Sequence, residues 1–187
     1  NIHASNPLNK NVLIWSEPSH AYHPIPYCEN LRIQHYFQSE KYFSDFKKEV
    51  VALFNLPAQI KNGVVSIHVR RGDYVTFSTM FPPVERTYLK PAISGFTNMN
   101  IRNFLVFSDD IPWCKQHFTQ YEGCNFQYSE GRNEYEDLVL MSQCEHNIIS
   151  NSTFSWWGAW LNQNPNKIVV SPSEFNWFGK KSKIDTK

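Results

Sequence analysis

The residues richest in chemistry are His68-Val69-Arg70-Arg71-Gly72-Asp73-Tyr74. A guanidinium fork offers phosphate oxygens two parallel hydrogen bonds, so two arginines beside a glycine suit a diphosphate. Gly72 lets the backbone turn, and Asp73 sets a carboxylate next to the guanidiniums. Alternate residues of a strand share a face, which points His68 and Arg70 together. The plainer reading is an Arg–Asp salt bridge at a strand end, which would not need the whole set.

Two more polar clusters follow apolar runs. Ser108-Asp109-Asp110 comes after Phe104-Leu105-Val106-Phe107. It reads as an N-cap for a helix starting near Pro112, or as a polar loop facing a nucleotide. Asn151-Ser152-Thr153-Phe154-Ser155-Trp156-Trp157-Gly158 comes after Asn147-Ile148-Ile149-Ser150. Hydroxyls and open amides at a helix N-terminus make a phosphate site; the alternative is a well-capped helix with a Trp-rich packing face. Asn151 also fits an N-x-[ST] glycosylation pattern, discounted because it sits on an apolar strand end. Asp137 lies one strand–helix step earlier, where a carboxylate could accept from the N1–H and amino group of guanine. Beside Glu134 and Glu136 it reads first as an exposed helix acid.

Absences matter as well. The chain has no D-x-D, no phosphate-binding G-x-x-x-x-G-K-[ST] and no G-x-G-x-x-G, and Asp109-Asp110 are adjacent rather than spaced. Stabilising an anionic leaving group would then fall to cationic side chains, so no metal is expected. His20 and His23 read as loop histidines rather than metal ligands, because His23 precedes Pro24, which disfavours a helix.

The elements that must position these clusters alternate. Strands are predicted over 64–69, 104–107, 125–128, 147–150 and 167–170. Helices are predicted over 84–96 (with Pro91 as a kink), 112–119, 134–144 and 153–162. This rhythm predicts a mainly parallel sheet with helices on both faces, and ligands in the loops after strand carboxyl ends. Upstream, residues 1–30 carry four prolines and read as loops and short extended pieces. A helix capped by Ser44 or Asp45 is expected to run to about Leu56, with Phe46, Val50, Leu53 and Phe54 on one stripe. Lys61-Asn62-Gly63 reads as a turn, and the domain boundary is drawn there: 1–62, then 63–187.

Composition bounds the function. The 187 residues are 41% hydrophobic, enough for a core, and 6 Trp, 9 Tyr and 14 Phe suit a protein that stacks on sugar rings. A net charge of +1 gives no basic field for nucleic acid. No apolar run approaches the roughly 20 residues that cross a bilayer. Cys28, Cys114, Cys124 and Cys144 form no C-x-x-C pair and read as reduced thiols, with a Cys114–Cys124 disulfide or a zinc site as alternatives. The start, Asn1-Ile2-His3-Ala4, lacks an initiator Met, a basic region and an apolar region, so the chain is expected to begin inside a longer one.

The 68–74 segment resembles the H-x-R-R-x-D motif shared by α1,2-, α1,6- and protein O-fucosyltransferases. Residues 36–43, 108–114 and 137–161 resemble segments of the bacterial α1,2-fucosyltransferases, glycosyltransferase family 11. Agreement runs from about residue 31 to 178, and the 151–160 stretch is highly specific. The resemblance implies a GT-B architecture whose C-terminal Rossmann-like domain holds GDP-fucose, and an inverting, metal-independent transfer to the 2-hydroxyl of a terminal galactose. By position it implies that Arg70 grips the β-phosphate, with Arg71 a further candidate at the diphosphate. It implies that His68 and Asp137 read guanine, and that Asn151, Ser152, Thr153 and Phe154 meet the nucleotide sugar. Asp73 is the candidate base, or else orients Arg70 or Arg71. The family's glycine-rich first strand has no match here, so the acceptor domain is expected to be incomplete. GDP-fucose and a galactose-terminated glycan are the expected partners, and the expected location is cytoplasmic or peripheral at the inner face of a bacterial membrane. The competing readings are a GT-B transferase using another nucleotide sugar, and a non-catalytic GDP- or glycan-binding module.

Overall fold

The computed structural model describes residues 2–4, 12–78 and 85–173, with 2–4 and 85–87 described by backbone alone. They form two compact units, one reaching to Val50 and one beginning at Val51. In the first, β1 (Ile2–Ala4), β2 (Leu13–Ser16) and β3 (Leu31–Gln34) form a small sheet in that order. Strand β1 is antiparallel to β2, and β3 parallel. Trp15 is buried there and stacks on Phe37. Two 3-10 turns, Glu40–Tyr42 and Ser44–Phe46, lead into α1 (Lys47–Leu53).

Helix α1 is shorter than expected, and its apolar stripe is not a core stripe. Phe46 is 62% exposed and Leu53 83% exposed. The 3-10 turn winds three residues per turn rather than 3.6, which takes Phe46 out of phase with Val50 and Leu53. Phe54, beyond the helix end, contacts the Trp157 ring at 5.8 Å.

The second unit is a helix-flanked parallel sheet. Its strands are β4 (Lys61–Val69), β5 (Asn103–Ser108), β6 (Asn125–Tyr128), β7 (Cys144–Ile148) and β8 (Val169–Val170). They lie in the order β6-β5-β4-β7-β8, every neighbouring pair parallel. Helices α2 (Gly72–Thr76), α3 (Glu85–Asn98), α4 (Ile111–His117), α5 (Glu134–Ser142) and α6 (Thr153–Leu161) alternate with the strands. Alternating side chains of β5 divide the core. Phe104 and Val106 join Val65, Ile67, Leu89, Ile93, Phe96 and Phe118 on one face, while Leu105 and Phe107 join Met141 and Cys144 on the other. Central strand β4 is covered on both faces, which is why its β-branched run is nearly continuous. Among the described residues no helix is long and apolar enough to cross a membrane. All four cysteines are free; burial pushes the Cys114 thiol up to about 11 and the Cys144 thiol up to about 12, which keeps both unreactive.

Two local readings are corrected. Lys61-Asn62-Gly63 is not a turn but the start of β4, where Lys61 N–H donates to Gln143 O at 2.7 Å. Gly63 takes φ +70° inside a register shift between Lys61 and Val65. A glycine there absorbs an irregularity in the ladder instead of reversing the chain. Strand β7 was expected over 147–150 but runs Cys144–Ile148. Its Cys-Glu-His-Asn start looks polar, yet His146 and Asn147 are buried.

The polar residues are tolerated because they are satisfied. Asn147 Nδ2 donates to Ser66 Oγ at 2.7 Å and to Met141 O at 3.0 Å, and Asn162 Nδ2 donates to Asn147 Oδ1 at 2.8 Å. His146 stacks on Phe96 and accepts from Ile168 N–H. Replacing Asn147 with Ala strands several of these groups in a site with no water access. The expected cost is roughly 2–3 kcal/mol, read as a lower urea midpoint with an unchanged slope.

Candidate active site

Strands β4, β5 and β6 step outward to one side and β7 and β8 to the other, so the chain reverses its direction of growth between β4 and β7. In sheets of this kind the crevice beyond the carboxyl ends at that reversal receives the ligand. The three polar clusters emerge there, after β5, β4 and β7, which are adjacent.

Arg70 is the pivot. Its Nη1 lies 2.8 Å from Asp109 Oδ2 and its Nη2 donates to Asp73 Oδ1 at 2.7 Å. These bonds use two of the five guanidinium N–H donors and leave the side chain about a third exposed. Asp109 also accepts from Arg71 N–H at 2.9 Å. Gly72 makes this approach possible, since a Cβ there would stand 2.6 Å from Asp109 Oδ2. Arg71 is held differently: its guanidinium lies 3.9 Å over the Trp113 ring and Nε donates to Asp110 at 3.1 Å. Asp110 meanwhile caps α4 by accepting from Trp113 N–H. The N-cap reading of this acidic pair holds for Asp110, while Asp109 pairs with the arginines.

Beyond β7, His68 and the third cluster meet. His68 is buried, with Nδ1 2.8 Å from Ser150 Oγ and its ring 5.4 Å from that of Phe154. Tyr74 OH donates to Asn151 O at 2.9 Å, tying the arginine loop to the start of α6. Asn151 is 1% exposed, which rules it out as a glycosylation acceptor. Ser152 sits at the N-cap of α6 in extended conformation, yet its side chain makes no cap hydrogen bond. The first turn, with Thr153 exposed and Phe154 half-buried, is thus not closed by its own serine. Asp137 stands apart from this group. It lies on α5 and accepts from Ser129, just past β6, while Arg132 donates to the same serine. Burial raises its carboxyl above the usual value, and the Ser129 hydrogen bond pulls the other way.

Three carboxylates, Asp73, Asp109 and Asp110, face two guanidiniums. These five side chains carry no excess positive charge, so any pull on an anion comes from aimed donors. The Arg70 guanidinium and the start of α6 lie at the ends of the neighbouring strands β4 and β7. Asp109, Ser150 and Tyr74 were not singled out as site residues from sequence. The first showed only as one of two consecutive acids after a strand, and the others as unremarkable members of the motifs.

A helix-flanked parallel sheet with its reversal point between adjacent strands is a doubly wound α/β fold. The chain belongs to glycosyl transferase family 11, with residues 1–183 matching. An Escherichia coli α1,2-colitosyltransferase is 34% identical over 76% of this chain and 54% of its own length. The E. coli O-antigen biosynthesis glycosyltransferase WbnK is 32% identical over 80% and 56%. The Bos taurus galactoside 2-α-L-fucosyltransferase SEC1 is 29% identical over 82% and 47%. The chain spans about half the length of these curated relatives.

His68 gives this site a pH signature. Burial, chiefly, lowers its pKa to about 4, against the ordinary value of 6.5. Between these values the unfolded chain binds the extra proton, so stability falls as pH drops through the window. The shift corresponds to roughly 3 kcal/mol. Unfolding free energies measured from pH 7 to 4 should show wild type losing about that much more than His68→Asn.

Proposed function

We propose that this chain supplies the GDP-fucose-binding part of a GT-B galactoside α1,2-fucosyltransferase. The observation that carries the reading is the placement of Arg70 and the uncapped start of α6 beyond neighbouring strands at the sheet's reversal point, in a family 11 chain. A relative named galactoside 2-α-L-fucosyltransferase supports the sugar and the linkage.

In this mechanism the galactose 2-hydroxyl attacks the anomeric carbon of GDP-β-L-fucose from the face opposite the nucleotide. The new C–O bond forms as the bond to the β-phosphate oxygen breaks, and its electron pair leaves with GDP. Arg70 and the amides opening α6 near Ser152 and Thr153 stabilise that growing charge, with no metal required. Arg71, braced on Trp113, backs the loop and completes the diphosphate contacts. Asn151 and Phe154 shape the pocket around the sugar nucleotide. His68 and Asp137 recognise guanine, Asp137 by accepting from N1–H and the amino group. The hydroxyl proton passes to Asp73. Its ion pair with Arg70 equally fits an orienting role, and unchanged kcat in Asp73→Asn would exclude it as the base. The acceptor is a galactose-terminated glycan, met in the cytoplasm or at the inner face of a bacterial membrane.

A second donor, the nucleotide-linked colitose, is favoured by the 34% identity to an α1,2-colitosyltransferase. The deciding assay uses a family-length polypeptide carrying this chain, labelled GDP-fucose and GDP-colitose, galactose-terminated acceptors, and EDTA. Fucose transfer that survives EDTA is expected. Arg70→Ala should lower it about 100- to 1000-fold with an unchanged circular dichroism spectrum. Near-normal transfer by the folded variant would contradict the role of Arg70, and preference for colitose would move the donor assignment.

A further inference from the structure

The first unit holds a donor set that the transfer reaction does not use. Glu17, just past β2, His20 and His35 each place one ligating atom within 4.8 Å of the others. The Glu17 side chain is fully buried. One of its oxygens, Oε2, accepts from Phe37 N–H at 3.2 Å and lies 3.6 Å from His35 Nδ1. The other, Oε1, is buried with no partner at hydrogen-bond distance among the described residues, with the Tyr42 hydroxyl as a polar group facing the carboxylate. A buried carboxylate oxygen left bare is costly, and buried charges are otherwise paired or bound to metal.

Both histidine rings pack on Tyr36, at 5.8 and 5.1 Å, and stand beside Glu17 in that packing. The His20 and His35 rings lie 5.8 Å apart at a tilt of 53°, both beside Glu17. His35 holds φ +133°, a backbone state rare outside glycine, and its side chain is 42% exposed. That exposure gives an ion a way in and leaves room for water in the remaining positions. The sequence reading set both His20 and His23 aside as loop histidines; His23 indeed stays outside the donor set and bonds Ser19 Oγ at 2.9 Å.

We propose that Glu17, His20 and His35 form a binding site for a divalent first-row transition ion, with zinc as the fitting probe. Two imidazoles and a carboxylate are a common ligand set for such ions, and water completes the shell. Zinc ligands at about 2.0–2.1 Å stand roughly 3.4 Å apart at tetrahedral angles, so donors within 4.8 Å of one another close by up to about 1.4 Å on binding. The exposed His35 side chain has the freedom to make that movement. The ion would cross-link β2, the loop after it and the end of β3, an anchoring role separate from sugar transfer.

The test is zinc titration of the metal-free 187-residue chain by calorimetry, with bound metal counted by elemental analysis. One zinc per chain and a raised Tm are expected. Glu17→Gln and His35→Asn should each weaken binding by at least the roughly 10- to 100-fold typical of losing even an outer-shell partner. Asparagine is chosen at 35 because it removes the imidazole and stays polar at a partly exposed position. His23→Ala should bind as wild type does. Cobalt(II) in place of zinc should give visible absorption that His35→Asn loses, a readout available even if Glu17→Gln folds poorly. No stoichiometric zinc, or equal affinity in wild type and His35→Asn, would overturn the proposal.

Discussion

Arg70 between Asp73 and Asp109 is the constraint around which the second unit's carboxyl edge is arranged. A free arginine on a loop would sample many rotamers and pay entropy to grip a ligand. Two carboxylates fix the fork beforehand, one from the arginine's own loop and one from the loop after the neighbouring strand. The close seating of Asp109 depends on the missing Cβ of Gly72, so one glycine fixes the distance between two strand-end loops. At about a third exposed, the Arg70 pair contributes little to folding stability; its value lies in geometry held ready.

What holds that edge still is a set of polar contacts behind it. The Tyr74 hydroxyl spans from the arginine loop to Asn151, and Ser150 links His68 to Ser155 at the start of α6. Further back, Asn147, Ser66 and Asn162 stitch β7 to β4 and to the end of α6. These bonds lie in the low-dielectric interior, where each satisfied group adds rigidity and each unsatisfied one would be costly. Helix α6 is thereby tied at both ends to the strands it packs on.

Much of this was legible in the sequence. Short apolar runs such as Phe104-Leu105-Val106-Phe107 announced buried parallel strands, and β6 lies where it was expected, because period and length agreed. Strand β7 was misplaced because Glu145 and His146 carry no apolar signal; the burial of His146 and Asn147 is secured by partners distant in sequence, Phe96 and Ser66, which no local pattern displays. The stripe on α1 failed for a related reason: periodicity shows which residues share a face, not whether anything covers it. Within the site, the motif displayed Arg70 and Asp73. The work of Asp109 was hidden behind an equally good capping role, which its neighbour Asp110 performs. Glu17 and His35 are far apart in sequence and come together only through the pairing of β2 with β3.

The central claim is that one pyrophosphate is shared by the Arg70 guanidinium and the amides that open α6. A crystal structure of the GDP complex tests it most directly. The account predicts a β-phosphate within about 2.7–3.2 Å of an Arg70 nitrogen, with the same pyrophosphate reaching backbone N–H groups of the first turn after Ser152. GDP bound elsewhere, with Arg70 still closed on its two carboxylates and the start of α6 untouched, would contradict it.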